Sequence, residues 1–254
     1  MTTIASWNVN SIRARESHLR RWIDENPVDV LGLQETKVQD QDFPKEVVSA
    51  MGFNVFYTGQ KSYNGVCTIF KGEASLIADS IPGFEDDQKR VIAIEYKGIL
   101  IINAYVPNGS NVGSSKYEYK LSWLEAFCFW LQKLSDSFDR IVVLGDFNIA
   151  PTDSDVHDPK AWQDKILCSP KERHYLDRLR ALDFLDSFRL FQQPEESFSW
   201  WDYRGGSFRR NMGLRIDLIY ISSSMKKDIK SSSIDVSPRS WEKPSDHAPT
   251  LLEL

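Results

Sequence analysis

The sequence predicts an α/β fold in which two β-sheets pack face to face and helices cover their outer faces. Three observations lead to this prediction: many short β-branched apolar runs, few stretches with helical spacing, and several polar-ended hairpins. A Rossmann fold is less favoured, because the chain lacks regular strand–helix alternation and a glycine-rich first turn. No internal repeat, low-complexity tract or Pro/Gly-rich linker divides the sequence, so we expect a single domain over 1–254.

Twelve short runs are predicted to form strands, because each is apolar and is bounded by turn-forming residues. These runs are Thr3–Val9, Val28–Gln34, Asn54–Thr58, Gly65–Lys71, Ser75–Ile81, Val91–Tyr96, Ile99–Val106, Ile141–Phe147, Phe198–Asp202, Ile216–Ser222, Ser233–Val236 and Ala248–Leu254.

Three stretches repeat apolar residues at helical spacing and are predicted to be helices. They are Ser11–Glu25, Lys116–Leu134 and Pro170–Leu182. In the third stretch, Ser169 is placed to cap the helix and Pro170 suits its first turn.

The charge balance excludes a generic nucleic-acid coat protein, which would normally be basic. The net charge is −5, from 31 Lys and Arg residues against 36 Asp and Glu residues. An enzyme that holds nucleic acid locally remains compatible, because metal-binding carboxylates lower the formal sum. Arginines do cluster near the start and around 204–215, and each cluster is either a solvated face or a contact with nucleic acid.

Cysteine usage and the leading residues indicate the compartment. The three cysteines are widely spaced and form no CxxC pair, so free thiols are favoured over a zinc site or a disulfide framework. Residues 1–15 carry arginines where a signal peptide needs an apolar stretch, and no run is long enough for a membrane span. We expect a cytoplasmic monomer without membrane contact.

Polar or acidic residues interrupt several apolar runs at their ends. They are Asn8, Asn10, Gln34, Glu35, Asp146, Asn148, Asp217, Asp246 and His247. Strand ends can converge on one rim of a sheet sandwich, where clustered carboxylates repel one another unless a cation or a proton neutralises them. Oxygen donors with few histidines indicate a hard cation, Mg²⁺ or Mn²⁺, which suits phosphoryl chemistry. Taken singly, each residue is also compatible with a capping residue, a turn or a surface loop.

These residues lie in segments that resemble the exonuclease III type of AP endonuclease, within the deoxyribonuclease I-like endonuclease/exonuclease/phosphatase superfamily. The segments are SWNVNSIRAR (6–15), LGLQETK (31–37), YNGV (63–66), INAYVPNG (102–109), LGDFNIAP (144–151), FSWWDYR (198–204), GLRIDLIY (213–220) and PSDHAP (244–249). They span nearly the whole chain in the family's order. The resemblance implies a four-layer α/β sandwich, with two mainly antiparallel sheets flanked by helices and the site at one rim.

The resemblance also implies a metal site. Glu35 matches the family's metal ligand, Asn8 lies beside it, and Asp246 matches a second acid near the metal. Mg²⁺ is the cofactor expected, with Mn²⁺ as a substitute. In some relatives the position of Asn10 is an aspartate, so a ligand role for Asn10 stays open.

Further matches imply the catalytic roles. Asp146 corresponds to the acid that activates or positions the attacking water, and Asn148 to the residue that orients that water and the phosphate. His247 corresponds to the histidine that faces the scissile phosphate, and Asp217 orients it. Tyr105 would donate to the phosphate or assist departure of the leaving group.

The expected substrate is duplex DNA with abasic sites or 3′ ends. Trp200, Leu214 and Ile216 align with the walls of a small apolar pocket for an extruded abasic sugar, which costs less to swing out than an intact nucleotide. Core packing is the alternative interpretation for this aromatic segment, chiefly for Phe198 and Trp201. The residues expected to contact phosphate or flank the duplex are Arg13, Lys37, Asn108, Arg204, Arg209 and Arg210.

Three functions are compatible with these patterns. The first is a DNA-repair nuclease that incises 5′ to abasic sites, with 3′→5′ exonuclease and 3′-end trimming activity. The second is another phosphodiesterase of the superfamily, acting on an inositol phosphate or a phospholipid, which the apolar pocket disfavours. The third is a catalytically silent DNA-end binding module, although every expected acid and His247 are present.

Overall fold

The fold consists of two six-stranded β-sheets packed against each other. The computed structural model describes residues 2–254. Over that range the strands are β1 (Thr3–Asn8), β2 (Val30–Gln34), β3 (Asn54–Thr58), β4 (Val66–Phe70), β5 (Ser75–Ala78), β6 (Val91–Tyr96), β7 (Ile99–Tyr105), β8 (Ile141–Asp146), β9 (Phe184–Asp186), β10 (Asp217–Ser222), β11 (Ser231–Ile234) and β12 (Thr250–Glu253).

One parallel pair of strands lies in the middle of each sheet. The first sheet has the order β11-β12-β1-β2-β4-β3 and the second has the order β5-β6-β7-β8-β10-β9. β1 is parallel to β2, and β7 is parallel to β8, whereas the other neighbours in both sheets are antiparallel. The prediction of two mainly antiparallel sheets is therefore confirmed.

Helices cover the outer face of each sheet. They are α1 (Glu16–Glu25), α2 (Lys45–Ala50), α3 (Ser115–Ser135), α4 (Pro159–Trp162) and α5 (Pro170–Ala181). Apolar residues of α1 and α2 pack on the first sheet, and those of α3 and α5 pack on the second. The result is the expected four layers of helix, sheet, sheet and helix. Within residues 2–254, none of the helices combines the length and apolar character needed to cross a bilayer.

The main core lies between the two sheets. Ile4, Val30 and Val66 of the first sheet pack in one cluster with Ile101 and Leu144 of the second, and all five are fully buried. Burial of each such side chain contributes about 1.5–3 kcal/mol. Because strands alternate their side chains between faces, the same strands also supply residues to the outer cores under the helices.

A buried pair of amides crosses between the sheets at the base of the predicted site. Gln34 Nε2 donates to Asn103 Oδ1 at 2.7 Å, and Asn103 Nδ2 donates to the carbonyl of Cys67 at 2.8 Å. An amide left unpaired in a core costs about 1–3 kcal/mol, so these contacts favour one register of the strands. They hold β2 in place immediately before Glu35.

Helix α5 begins as the sequence predicts. Ser169 Oγ accepts from the Glu172 N–H at 3.3 Å, the Glu172 carboxylate accepts from the Ser169 N–H at 3.0 Å, and Pro170 occupies the first turn. This capping box satisfies two backbone donors that would otherwise lack partners.

Two predicted elements differ most from those observed. The segment Phe198–Asp202 is not a strand, because its backbone forms only isolated bridges, from Trp200 to Leu214 and to His247. The first helix begins at Glu16 and not at Ser11, because Ser11 has a φ of 90°, outside the helical region.

Two short α-helices and one short strand were not predicted, namely α2, α4 and β9. Each has six residues or fewer, too few for a periodic pattern to stand out. β5 also ends three residues early, and β11 lies two residues before its predicted position.

Candidate active site

Polar residues from both sheets meet at one rim of the sandwich. Tyr105 of β7 pairs with Asp146 of β8, and Asp146 pairs with Asp217 of β10, so three neighbouring strands present polar residues side by side. In the other sheet, β1 ends at Asn8 and Glu35 directly follows β2. Strand register therefore brings together residues far apart in the sequence, as the positions of the acids predicted.

Asn8 connects the two central acids. Its side-chain nitrogen donates to Glu35 Oε1 and to Asp146 Oδ2, each at 2.9 Å. Glu35, Asp146 and His247 each offer one potential ligand atom, and these atoms all lie within 4.8 Å of one another. Two carboxylates at this separation repel each other, which favours a cation at the site or a proton on one acid.

The environments of the two acids drive their pKa values apart. Burial raises the pKa of Asp146 to about 7; the charge of His247 opposes this rise, and those of Asp217 and Glu35 add to it. Burial would also raise the pKa of Glu35, but Lys37 at 2.9 Å and the Asn8 amide hold it below its ordinary value. Glu35 is therefore ionised, whereas Asp146 exchanges its proton near neutral pH.

The amide of Asn8 turns its nitrogen toward the acids, and its Oδ1 accepts from the backbone N–H of Asn10 at 3.0 Å. The NH₂ group of an amide is a hydrogen-bond donor and offers no free lone pair to a cation. In this orientation Asn8 therefore positions the two acids and does not bind a metal ion. Direct metal ligation, which the resemblance implied, requires the amide to turn over.

Asp246 lies beside this group, with both carboxylate oxygens engaged. Oδ1 accepts from Asn10 Nδ2 at 2.9 Å, and Oδ2 accepts from the Trp200 indole at 3.0 Å. Burial would raise the pKa of Asp246, but the charge of His247 and these two hydrogen bonds hold it below its ordinary value. Asn10 also accepts from Lys37 Nζ at 2.5 Å, so it bridges Asp246 to the ion pair at Glu35.

Asp217 orients His247. The His247 Nδ1 atom lies 2.9 and 3.1 Å from the two oxygens of Asp217, and Nε2 lies 3.8 Å from Asp146 Oδ2. Burial would lower the pKa of His247, but the charges of Asp217 and Asp146 outweigh it and raise that pKa to about 10. The ring is therefore an imidazolium at neutral pH, with Nδ1 held by one acid and Nε2 near another.

Asn148 and Asn108 form a pair of amides next to Asp146. Asn148 has a φ of 49°, which asparagine tolerates better than most residues, and its backbone N–H donates to Asp146 Oδ1 at 2.9 Å. Its side-chain nitrogen donates to the carbonyl of Val106 at 3.0 Å, and its Oδ1 accepts from Asn108 Nδ2 at 3.0 Å. Asn108 is exposed and Asn148 is buried, so the pair extends from the acids to the surface.

Tyr105 lies beneath Arg90, a residue that the sequence did not single out. The guanidinium carbon of Arg90 is 4.7 Å from the centre of the Tyr105 ring, and its Nη1 donates to the Tyr105 carbonyl at 3.1 Å. Burial raises the pKa of the Tyr105 phenol well above its usual range, and the charges of Glu35 and Asp146 add to the rise. The phenol thus stays protonated, as a donor must. The sequence did offer one signal for Arg90, because this charged residue directly precedes the apolar strand β6.

The apolar residues predicted to form a sugar pocket lie together in one cluster. Leu214 and Ile216 are fully buried, and Trp200 packs half-buried against the same group. Leu167 completes the cluster with a φ of 71°, which is unusual for leucine. In this conformation Leu214 and Ile216 expose almost no surface, so a sugar would reach them only after neighbouring side chains move.

Comparison with known proteins identifies the family of this chain. The sequence profile described as "Endonuclease/Exonuclease/phosphatase family" matches residues 5–247. The chain is also 38% identical to exodeoxyribonuclease III of Haemophilus influenzae, over 98% of this chain and 98% of that protein. The chain belongs to the exonuclease III branch of this family.

Solved structures of the family superpose closely on this member. A 3′ phosphatase from Neisseria bound to a product DNA hairpin has a TM-score of 0.98 at 37% identity, covering 100% of this chain and 99% of that one. An AP endonuclease from Archaeoglobus fulgidus has a TM-score of 0.94 at 35% identity, covering 99% and 98%. This exonuclease III family chain is a DNA-repair nuclease, which favours the first of the three functions over the other two.

The predicted phosphate-contacting residues divide into two groups in this exonuclease III family chain. Lys37 turns inward, to Glu35 and Asn10. Arg13 is exposed and donates to the carbonyl of Asp42 at 2.6 Å. The rest are surface residues, namely Asn108, Arg204, Arg209 and Arg210.

Two further residues of the aromatic segment belong to the core. Phe198 and Trp201 are buried in a small cluster with Ala248, as their alternative interpretation predicted. Arg15 was not separated from its neighbours by sequence, yet it donates to the carbonyls of Asn10 and Pro244 at 2.7 and 3.0 Å. It thereby ties the segment after β1 to the segment before His247.

Proposed function

We propose that this chain is a Mg²⁺-dependent hydrolase that cuts duplex DNA 5′ to abasic sites and trims 3′ ends by exonuclease and phosphatase action. The observation that carries the proposal is that Glu35 and Asp146 each accept a hydrogen bond of 2.9 Å from the side-chain nitrogen of Asn8. The buried imidazolium of His247 lies beside them. The acids supply a cation site and a base, and the imidazolium supplies positive charge for a phosphate.

The donor set fits a hard divalent cation. Glu35 is held ionised at the rim, and Mg²⁺ takes one or two carboxylates together with waters and phosphate oxygens. Glu35 would hold the ion, with Asp246 and a reoriented Asn8 as further oxygen donors, and Mn²⁺ would accept the same ligands. When bound, the cation lowers the pKa of bound water and neutralises charge on the phosphate.

Asp146 and Asn148 are suited to prepare the attacking water. A base works best when its pKa lies near the working pH, and the pKa of Asp146 is raised to about 7. The proton of the water passes to Asp146 as the water oxygen attacks phosphorus. Asn148, fixed to Asp146 through its backbone N–H at 2.9 Å, positions that water and the phosphate.

His247 and Tyr105 are suited to the charge that develops on the phosphate and the leaving group. The imidazolium, fixed by Asp217, offers its second ring nitrogen to a phosphate oxygen as negative charge builds up. Asn108, which is exposed, would donate a hydrogen bond from its side-chain amide to the same phosphate group. As the bond from phosphorus to the 3′ oxygen breaks, the protonated phenol of Tyr105 stabilises that oxygen by hydrogen bonding, and a solvent water supplies the proton that converts it to the 3′ hydroxyl.

Preference for abasic sites would come from shape. A sugar that has lost its base costs less to extrude and fits a small apolar pocket, for which Trp200, Leu214 and Ile216 are the candidate walls. Leu167 packs against the same residues, so entry of the sugar requires Leu167 or its neighbours to shift.

Processing of 3′ ends without abasic incision is the second candidate function. The burial of Leu214 and Ile216 favours it, because a terminal nucleotide or 3′-phosphate needs no extruded sugar to reach the acids.

The enzyme would bind duplex DNA through surface arginines, act as a monomer and work in the cytoplasm. Arg13, Arg204, Arg209 and Arg210 would contact the phosphates of the duplex, which makes binding fall as salt rises. The rim is built within one chain, which supports action as a monomer. The three buried free thiols suit a reducing compartment, in line with a cytoplasmic protein.

A side-by-side cleavage assay tests the proposal. The substrates are a duplex with one tetrahydrofuran site, a duplex with a recessed 3′ hydroxyl, and a duplex with a 3′-phosphate, each with Mg²⁺ and with Mn²⁺. We expect all three to be processed, with Asp146→Asn inactive on each. Processing of the two 3′ ends alone would replace the main proposal with the second candidate. Failure on all three would refute both.

A further inference from the structure

A buried ion pair joins the two helices that cover the second sheet. Lys120 of α3 and Glu172 of α5 lie 2.5 Å apart, and both side chains are fully buried. Removing two charges from water is costly, and apolar residues of similar volume often stabilise a protein as well as such a pair does. A buried ion pair is therefore weak evidence of a stabilising role, and the other contacts of these two residues point to a positioning role.

Lys120 holds the backbone of both asparagines beside the acids. Its Nζ donates to the carbonyl of Asn148 at 2.7 Å and to the carbonyl of Asn108 at 3.2 Å. With Glu172 as the third acceptor, all three donors of the ammonium group are used. Its position is thus determined from three directions, and it restrains two turns whose side chains contact each other at 3.0 Å.

Glu172 holds the segment next to the apolar cluster. Its Oε1 accepts from the Leu167 N–H at 3.1 Å, and its Oε2 accepts from the Ser169 N–H at 3.0 Å and from the Ser169 hydroxyl at 2.6 Å. Leu167 packs with Leu214 and Ile216 in the candidate sugar pocket. The ion pair therefore connects the turns of the asparagines to the wall of that pocket.

We propose that Lys120 and Glu172 are positioning residues for phosphodiester cleavage, which set Asn148 and Asn108 relative to the acids and to the Leu167 segment. The inference rests on the roles proposed above for the two asparagines. Lys120 touches no reacting atom and acts through Asn148. Its loss is expected to reduce turnover much more than DNA affinity, since small displacements of a positioning group cost about 100-fold in rate.

The test uses a double variant that removes the charges of Lys120 and Glu172 but keeps the capping box at the start of α5. In Lys120→Met/Glu172→Gln, the glutamine oxygen still accepts from the Ser169 N–H, as capping boxes allow, while its NH₂ group can no longer accept from the Leu167 N–H, and no unpaired charge stays buried. The single variant Lys120→Met should lower the urea midpoint, and the double variant should recover the part of that loss that comes from the unpaired carboxylate. In both variants we expect kcat on the best wild-type substrate to fall about 100-fold, with KM within about threefold of wild type.

Arg178→Met is the matched control. Arg178 of α5 pairs with Glu125 of α3 at 2.5 Å, so it joins the same two helices, but at the surface. We expect its kcat to stay within about twofold of wild type, because exposed pairs contribute little. In the background of Asn148→Ala, Lys120→Met should reduce kcat by less than about threefold more, since both changes disable the same group. A double variant that regains wild-type kcat together with its stability would overturn the inference.

Hydrogen exchange supplies a readout that needs no cleavage activity. The N–H of Asn148 donates to Asp146, and we expect it to exchange at least about tenfold faster in the double variant, with amides inside β8 unchanged. Unchanged protection at Asn148 would refute the positioning role even if the wild-type protein cleaved no DNA. Absence of cleavage by the wild-type protein would instead refute the proposed function alone.

Discussion

Replacement of Asp217 by asparagine isolates the contribution of the carboxylate that holds His247. The two oxygens of Asp217 lie 2.9 and 3.1 Å from His247 Nδ1, and both residues are buried. Asparagine has nearly the same shape, so the hydroxyl of Ser199 can still accept from the backbone N–H of residue 217 at 3.0 Å. The change removes a negative charge and leaves the packing of β10 in place.

The expected fall in kcat can be worked out from the hydrogen bond between residue 217 and His247, which the substitution weakens. A hydrogen bond to a charged group contributes about 1.5–3 kcal/mol, and each 1.36 kcal/mol corresponds to a tenfold change in rate. If the imidazolium acts on the transition state, kcat for Asp217→Asn falls about 10- to 150-fold. DNA affinity changes less than kcat, because Asp217 is buried and acts only through His247, whose proposed interaction strengthens in the transition state.

Single-turnover cleavage of a DNA duplex measures the chemical step, and fluorescence anisotropy measures binding of the same duplex. Asp228→Asn is the control, because Asp228 forms an exposed pair with Arg140 at 3.0 Å and has no contact with the described residues at the rim. That control should match wild type in both measurements. A cleavage rate for Asp217→Asn within threefold of wild type would show that the carboxylate does not orient a catalytic histidine.

Three further predictions address the cation, the pocket and the fold. EDTA should abolish cleavage and Mg²⁺ should restore it, and activity that persists in chelator would exclude a metal mechanism. Trp200→Ala should reduce the kcat/KM ratio of tetrahydrofuran to recessed-end substrates about tenfold, with DNA Kd changed less than threefold; an unchanged ratio would make Trp200 a core residue. Asp155→Asn leaves buried Arg215 with Asp186 as its remaining carboxylate, so the free energy of unfolding in urea should fall by about 3 kcal/mol at pH 7. Because the pKa of Asp155 is lowered in the folded state, its contribution is present above pH 4 and is lost at lower pH, so the gap between variant and wild type should narrow there; a constant gap would contradict the pairing.

The sequence was most informative about residues at the ends of strands. An apolar run that stops at an acid, as at Glu35 or Asp146, shows that a polar group lies at the edge of a core, and neighbouring strands share that edge. The fold class could be predicted for the same reason, because each buried face has a periodicity that a short stretch of sequence displays. The segment of Trp200 was predicted incorrectly as a strand, since dense aromatic residues resemble a strand even where only isolated bridges form.

Three individual side-chain contacts, those of Lys120, Lys37 and the Asn8 amide, could not be predicted. Lys120 looks like a surface residue of an amphipathic helix, and its burial depends on Glu172, which lies 52 positions further along the chain. Lys37 looks like a phosphate contact, but the carboxylate of Glu35 draws it inward. The orientation of the Asn8 amide depends on two acids brought together only by folding. In each case the deciding partner is set by tertiary packing and not by local pattern.

The pairing of β1 with β12 has a consequence for how the enzyme is made. Thr3 pairs with Glu253, and the strand formed by residues 250–253 lies between β1 and β11. Asn8 lies at the end of β1 and His247 lies just before β12, so Asn8 leaves the ribosome long before His247. A nascent chain thus contains Asn8, Glu35 and Asp146 before His247, the source of the proposed imidazolium, has been synthesised. If His247 acts in cleavage, nuclease activity begins only after β12 has entered the sheet, and a chain that stalls before residue 247 lacks the pair of Asp217 and His247.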